Sequence, residues 1–169
     1  RQFPHASLLF VGQGDFPHQP SSLEQRAANL GMADAVAFTG FVPMEQAWRL
    51  VTAAELCVSP IVPAPTLAVG SPTKLIEYMA LGKTVVANRH PEQTAVLEDC
   101  GAGVLVPWSV QGFAEGLAWA LAHPAEAATR AAKGPAWVRA HRTYDRIAED
   151  VYRQYEPTAS PIRTGQEIA

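Results

Sequence analysis

Five short apolar runs, separated by segments of helical spacing, constrain this chain more than any other feature. Strands that alternate with helices pair through crossover connections, which makes them parallel. The runs are "SLLFVG" (Ser7 to Gly12), "VAFTG" (Val36 to Gly40), "ELCVSP" (Glu55 to Pro60), "TVVAN" (Thr84 to Asn88) and "GVLVP" (Gly103 to Pro107). The first is apolar almost throughout and closed by glycine, the pattern of a strand buried on both faces of a parallel sheet. The expected architecture is α/β: a doubly wound, mostly parallel Rossmann-like sheet with a helical C-terminus.

The intervening segments carry helix signals. "SSLEQRAANLGM" offers Ser22 as N-cap, Gln25 at capping-box spacing and Gly31 as the stop. "PMEQAWRLVTAA" sets Ala47, Leu50, Val51 and Ala54 on one face, with Trp48 beside it. "SVQGFAEGLAWALAH" does the same with Phe113, Leu117, Ala120 and Leu121 until Pro124 breaks the run. "PAEAATRAAKGPAWVRAH" and "TYDRIAEDVYRQY" complete the helical end, and residues 157–169 have the Pro, Ser, Thr and Gly content of a disordered tail. Residues 1–156 read as one domain, long enough at 48% hydrophobic content to bury a core without staples.

Charge and cysteine content exclude several functions. A net charge of −3 with 13 Lys and Arg gives no broad basic field, so nucleic acid is not an expected partner. Cys57 and Cys100 follow no metal-ligand spacing and read as reduced thiols in a cytoplasmic protein. His5, His18, His90, His123 and His141 show no paired ligand spacing either, and no metal is expected. No apolar run approaches the roughly 20 residues of a spanning helix.

Ligands of such sheets bind outside the carboxyl ends of the strands. Those places read "GQGD" (Gly12 to Asp15), "GFVP" (Gly40 to Pro43), "SPIVPAPTLAVGSPTK" (Ser59 to Lys74) and "NRHPEQ" (Asn88 to Gln93). Gly12 and Gly14 start a dinucleotide fingerprint, but its third glycine is replaced by Pro17, which disfavours a nicotinamide enzyme. They read either as a turn that lets another group approach the backbone or simply as a strand end. Arg89 and Glu92 lie where a donor contact is open to them, and the alternative is a turn closed by Pro91.

The long uncharged loop from Ser59 to Gly70 then meets Ser71 as N-cap, Pro72 at N1, and Thr73 and Lys74 at N2 and N3. A lysine in a first turn opposes the helix dipole by about 0.3–1 kcal/mol. The amides of Thr73 and Lys74, the dipole and the Lys74 ammonium together make an anion site suited to a diphosphate. Glu77, one turn on, has the acceptor oxygens to take both hydroxyls of a ribose. The competing reading makes Lys74 a solvated surface lysine, or half of an i,i+3 pair with Glu77. Leu75, Ile76, Met79 and Ala80 read as core.

"VAFTGFVPMEQAWRLVTAAELCVSP", "GSPTKLIEYMALGKTVVAN" and "EDCGAGVLVP" together resemble the C-terminal, nucleotide-sugar-binding half of retaining glycosyltransferases of the GT-B fold, in the large group-1 (family 4) class. The resemblance runs from about Ser7 to Tyr155 and is most specific in "KLIEYMALGKTVVAN". It implies transfer of a sugar, of hexosyltransferase type, from a UDP- or GDP-sugar to an acceptor with retention. No cofactor or metal is implied. It assigns Lys74 and Glu77 as the catalytic pair, and Gly12, Gly14, Phe41, Val42, Ser71, Thr73, Lys74, Leu75 and Glu77 as the donor-binding set. Within that set Glu77 takes the ribose, the amides around Thr73 and Lys74 the diphosphate, and Phe41 and Val42 the base.

Two departures from the family pattern stand out. Val69 replaces a glutamate that such enzymes often carry eight residues before the ribose glutamate, which leaves the sugar open. The upstream Arg and Lys that neutralise the leaving diphosphate would precede Arg1, as would the N-terminal acceptor domain. The chain is thus expected to be a portion of a longer enzyme, inactive by itself and partnered by that domain, through which peripheral contact with the inner face of a membrane stays open. "HRTYDRIAEDVYRQY" resembles the long final helix that crosses back to it. The reading from another class is a non-enzymatic nucleotide- or sugar-phosphate-binding α/β module. A receiver-like regulator is disfavoured, because "GQGD" supplies one acid and "LCVSP" ends without an aspartate.

Overall fold

The computed structural model describes residues 2–14 and 18–155. The tail expected at 157–169 and the Pro17 position lie outside the described residues.

All five expected strands form, as β1 (Leu8–Phe10), β2 (Val36–Phe38), β3 (Leu56–Ser59), β4 (Thr84–Asn88) and β5 (Val104–Val106). Every pairing between them is parallel, with β1 beside β2 and β4 between β3 and β5. The register sets Phe10 against Phe38, whose rings stack at 4.8 Å, and Val86 against Val104. Among the described residues, eight α-helices fill the crossovers and the C-terminal end: α1 (His18–Asn29), α2 (Met44–Ala53), α3 (Thr73–Ala80), α4 (Pro91–Cys100), α5 (Val110–Ala122), α6 (Pro124–Ala131), α7 (Gly134–His141) and α8 (Tyr144–Tyr155).

The core is built around β4, all five of whose residues are buried. Its side chains alternate in direction, so Val85 and Ala87 join Leu75 and Met79 of α3, Val96 and Leu97 of α4 and Val138 of α7. Val86 faces the other way, to Val106, Ala120 of α5 and Ala127 of α6. Burying each of these valines contributes about 1.5–3 kcal/mol. Helices thus cover both faces of the β3–β4–β5 sheet, the doubly wound arrangement expected. Gly116 lets α5 lie flat on it, since a Cβ there would meet Val106 Cγ1 at 2.5 Å.

Several local expectations fail for identifiable reasons. β1 is not buried on both faces: Leu8, Leu9 and Phe10 are 45%, 43% and 37% exposed, because α1 packs chiefly on β2 and the turn before it. Ser22 is not an N-cap, as α1 begins at His18 and places it in the interior. Gly31 does end the helix, at φ +65°. Ala80 is exposed on the outer side of α3. The segment after Pro124 is two helices, broken before Gly134, whose missing side chain allows it to lie against Met79, where a Cβ would come within 2.7 Å of the carbonyl oxygen.

The C-terminal helices clamp the elements that carry the site. Trp137 Nε1 donates to Asp99 at 2.5 Å, and Arg142 donates to Glu92 at 2.7 Å across 50 residues. Lys83, between α3 and β4, donates to the carbonyls of Thr52 and Ala54, the latter at 3.0 Å, and so ties down the C-terminal end of α2. Along α8, Arg146 and Arg153 pair with Glu149 and Asp150 of the same helix. Among the described residues, no helix is long and apolar enough to cross a membrane.

Candidate functional site

The long loop between β3 and α3 has no periodicity of its own, and its shape is imposed from the end of β4. Asn88, fully buried, acts on it like a neighbouring strand: its Oδ1 accepts from the Ile61 N–H at 2.7 Å and its Nδ2 donates to the Ile61 carbonyl at 2.9 Å. Gln93, also fully buried, accepts from the Ser59 hydroxyl at 2.5 Å and donates to the carbonyls of Asn88 at 3.0 Å and Ser59 at 3.3 Å. His90 Nε2 donates to the Leu67 carbonyl at 2.8 Å. Its Nδ1 is buried and, among the described residues, has no hydrogen-bond partner. Three side chains from one turn therefore hold Ser59, Ile61 and Leu67, and with them the path into α3.

That path shifts the start of the helix. The first helical residue is Thr73, and Pro72 (φ −78°, ψ 83°) holds the cap position without a side-chain bond, so Ser71 does not cap α3 as expected. The Ser71 carbonyl instead accepts the Thr73 N–H at 3.0 Å, and the Pro72 carbonyl accepts that of Leu75 at 3.0 Å. The expected free pair, Thr73 and Lys74, is accordingly not the pair observed. Among the described residues, the amides of this turn left without an acceptor in the chain are those of Ser71 and Lys74. Leu75 turns its side chain fully into the core and has its amide occupied, so it presents neither to the cleft.

Lys74 is exposed and Glu77 half-buried, and neither appears in an ion pair. The i,i+3 pair that would have explained both away does not form. Beside Glu77, the Tyr78 hydroxyl titrates above its ordinary range, first because it is buried and then because Cys57 and Glu77 lie near it.

At the ends of β1 and β2 a second group forms. Gly12 (φ +124°) and Gly40 (φ +65°) make an antiparallel bridge in backbone conformations that disfavour a side chain. Thr39 locks the bridge: its Oγ1 accepts from the Gly12 N–H at 3.1 Å and donates to the Gly40 carbonyl at 2.8 Å. Phe41 stands 75% exposed after Gly40, and Val42 and Gly14 are half-buried. The residues anticipated from the sequence thus fall into two groups: Gly12, Gly14, Phe41 and Val42 at one sheet's carboxyl edge, and Ser71, Thr73, Lys74 and Glu77 at the other's.

Two cavities adjoin the second group. One of about 340 Å³ is lined by Ala68, Val69, Gly70, Ser71, Pro91 and Glu92. The other, about 170 Å³, lies under the loop against Asn88, Arg89 and His90. Arg89 engages Glu98 at 3.0 Å along α4, whereas Glu92 stays at the first cavity, held by Arg142. Among the described residues, no three His, Cys, Asp or Glu side chains gather as a metal site.

The fold and the site together define a parallel α/β domain with open amides and an exposed lysine at the carboxyl edge of its sheet. The chain belongs to the family described as glycosyl transferases group 1, whose sequence profile matches residues 1–123. No curated protein matches the chain. Among solved structures it is similar to sucrose-phosphate synthase from Thermosynechococcus elongatus, at 27% identity and a TM-score of 0.74 over 93% of this chain and 39% of that one. The Anabaena protein HepE in complex with UDP-glucose shares the fold at 23% identity and a TM-score of 0.77, over 91% of this chain and 42% of that one. WaaG, a glycosyltransferase involved in lipopolysaccharide biosynthesis, shares it at 24% identity and a TM-score of 0.55, over 94% and 38%. The chain spans about two fifths of the length of each.

Proposed function

We propose that this chain is the donor-binding half of a retaining glycosyltransferase, of the family 4 class and C-terminal in its enzyme, which takes a UDP- or GDP-sugar as donor. The observation that carries the reading is the start of α3, where Lys74 has no counter-ion and its amide no acceptor, with unpaired Glu77 one turn further on. An ammonium and open N–H groups converging at a helix start fit a diphosphate, and a carboxylate one turn beyond fits a ribose. The complex of HepE with UDP-glucose, on the same fold, supports a nucleotide sugar as the ligand class. In this reading Lys74 and the α3 amides stabilise charge as it develops on the leaving diphosphate, an electrostatic role that assigns no metal. Phe41 and Val42 take the base, and the glycine turn at Gly12 and Gly14 borders the donor.

Thermal shift with UDP, GDP, uridine, guanosine and pyrophosphate tests this directly. A diphosphate should raise the melting temperature and the matching nucleoside much less; equal shifts from uridine and UDP, or none from any compound, would refute it. The chain alone should transfer no sugar from any nucleotide sugar, since the reaction needs an acceptor held against the donor. Turnover by the purified chain would show the acceptor site to lie within these residues.

A further inference from the structure

We propose that Glu92 reads the sugar hydroxyls of the donor and so sets which sugar the enzyme accepts, an inference that rests on the nucleotide-sugar reading above. The half-open 340 Å³ cavity beside the start of α3 has a mixed lining, more polar than apolar, to which Ala68, Val69, Gly70 and Pro91 bring no polar side-chain atom. Ser71 and Glu92 alone bring polar side-chain atoms to its lining, and Glu92 alone brings charge. Val69, which stands 91% exposed, offers a ligand no hydrogen bond. A void this size accommodates a ring rather than a single ion or water.

The chemistry of that wall selects what fills it. An ionised carboxylate accepts hydrogen bonds and donates none, so a phosphate in the same cavity would meet repulsion without a compensating bond. A hydroxyl-bearing group attached to a phosphate at α3 would meet the reverse, with its charge at the helix start and its O–H donors at the carboxylate. Glu92 is also prepared for this role. It lies in the first turn of α4, at the end of the helix where the dipole attracts an acidic side chain. Arg142 donates to its Oε1 at 2.7 Å, and among the described residues Oε2 has no partner. Arg142 is in turn placed over the Trp137 ring, 5.4 Å from its centroid, so the carboxylate is held in one position before any ligand arrives. An acceptor fixed in this way separates sugars by where their hydroxyls point, because a hydroxyl on the wrong face leaves a partly buried carboxylate oxygen unpaired. Arg142 is then a positioning residue, acting through Glu92.

Calorimetric titration of wild type, Glu92→Gln, Glu92→Asp and Arg142→Lys with UDP, GDP, UDP-glucose, UDP-galactose and GDP-mannose tests the assignment. Wild type should separate the sugars. Glu92→Gln should bind UDP or GDP within about twofold of wild type, while its preferred nucleotide sugar weakens five- to twentyfold and the differences between sugars shrink. Glu92→Asp keeps the charge but shortens the reach, and should lose the same preference at an unchanged melting temperature. Arg142→Lys should keep the nucleotides and narrow the sugar preference. If Glu92→Gln and Glu92→Asp leave every nucleotide sugar at its wild-type affinity, or weaken nucleotides and nucleotide sugars in parallel, the proposal falls while the donor site at α3 stands. If wild type binds none of the five compounds, the donor reading fails and this proposal with it.

Discussion

Replacing Lys74 by alanine separates a phosphate ligand from a surface lysine, because only the phosphate reading predicts a loss of diphosphate affinity. Lys74 is exposed in the first turn of α3 and makes no ion pair within the chain, so its removal breaks no internal bond. It also takes a cation from the positive end of a helix dipole, and the ligand-free protein should become more stable by about 0.3–1 kcal/mol. Binding should move the other way. A charge-assisted hydrogen bond to a diphosphate is worth about 1.5–3 kcal/mol, which weakens UDP and pyrophosphate alike by roughly ten- to more than a hundredfold. Glu77→Gln supplies the contrast. Its carboxylate is half-buried and lacks a partner, and pyrophosphate has no ribose to meet it, so UDP should weaken while pyrophosphate stays near wild type. The distance between the two groups' roles also shows in the unliganded state: a double-mutant cycle on stability should give a coupling under about 0.3 kcal/mol, since no pair forms. Calorimetric titration of both variants with both ligands gives four affinities. Wild-type affinities in Lys74→Ala would refute the diphosphate assignment, and equal losses of UDP and pyrophosphate in Glu77→Gln would refute the ribose one.

Two further outcomes follow from groups buried behind the site. Asn88→Ala leaves the Ile61 N–H and carbonyl without their partners and should cost about 1–3 kcal/mol for each group left unsatisfied, read by chemical denaturation; it should also weaken UDP although Asn88 lies behind the cleft, and a variant with both properties unchanged would show that the loop holds itself. Burial pushes the Cys57 thiol up to about 11, against an opposing pull from Lys83, so at pH 8 a thiol reagent should label Cys57 only after unfolding, and labelling of the native protein at the rate of a free thiol would contradict its place in β3.

The sheet was legible because its signals are local. Thr84 to Asn88 carries an unbroken apolar centre, Val85 to Ala87, and the structure buries the strand on both faces with helices on either side. The same pattern misled at β1, where Leu8, Leu9 and Phe10 are as apolar but stand open. An apolar run states that a strand suits burial; whether helices cover it depends on what else packs there, which the run does not encode. Helix ends divided in the same way. Gly31 and Pro124 stop helices by backbone geometry alone and were readable as such, whereas the break before Gly134 depends on Met79, 55 residues earlier, against which only a glycine fits.

The loop into α3 shows why a site is harder to read than a sheet. Its bonds to Asn88, His90 and Gln93 span 27, 23 and 34 residues, and the single local hint was a cluster of polar residues just after a buried strand. Those tethers also explain the failed cap. By local rules Ser71 ahead of Pro72 should bond an amide of the first turn and stabilise α3 by about 1 kcal/mol. With Ser59, Ile61 and Leu67 already fixed, the chain enters with Pro72 at ψ 83°, the helix starts one residue late and the serine makes no cap bond. A capped turn would have spent its open donors on its own side chain. Left uncapped, α3 keeps the Lys74 amide open beside an exposed ammonium, and in the proposed reading the stability forgone locally becomes affinity for the diphosphate. A broken local rule at the end of an otherwise consistent strand–loop–helix unit is therefore the feature on which the proposed donor site rests.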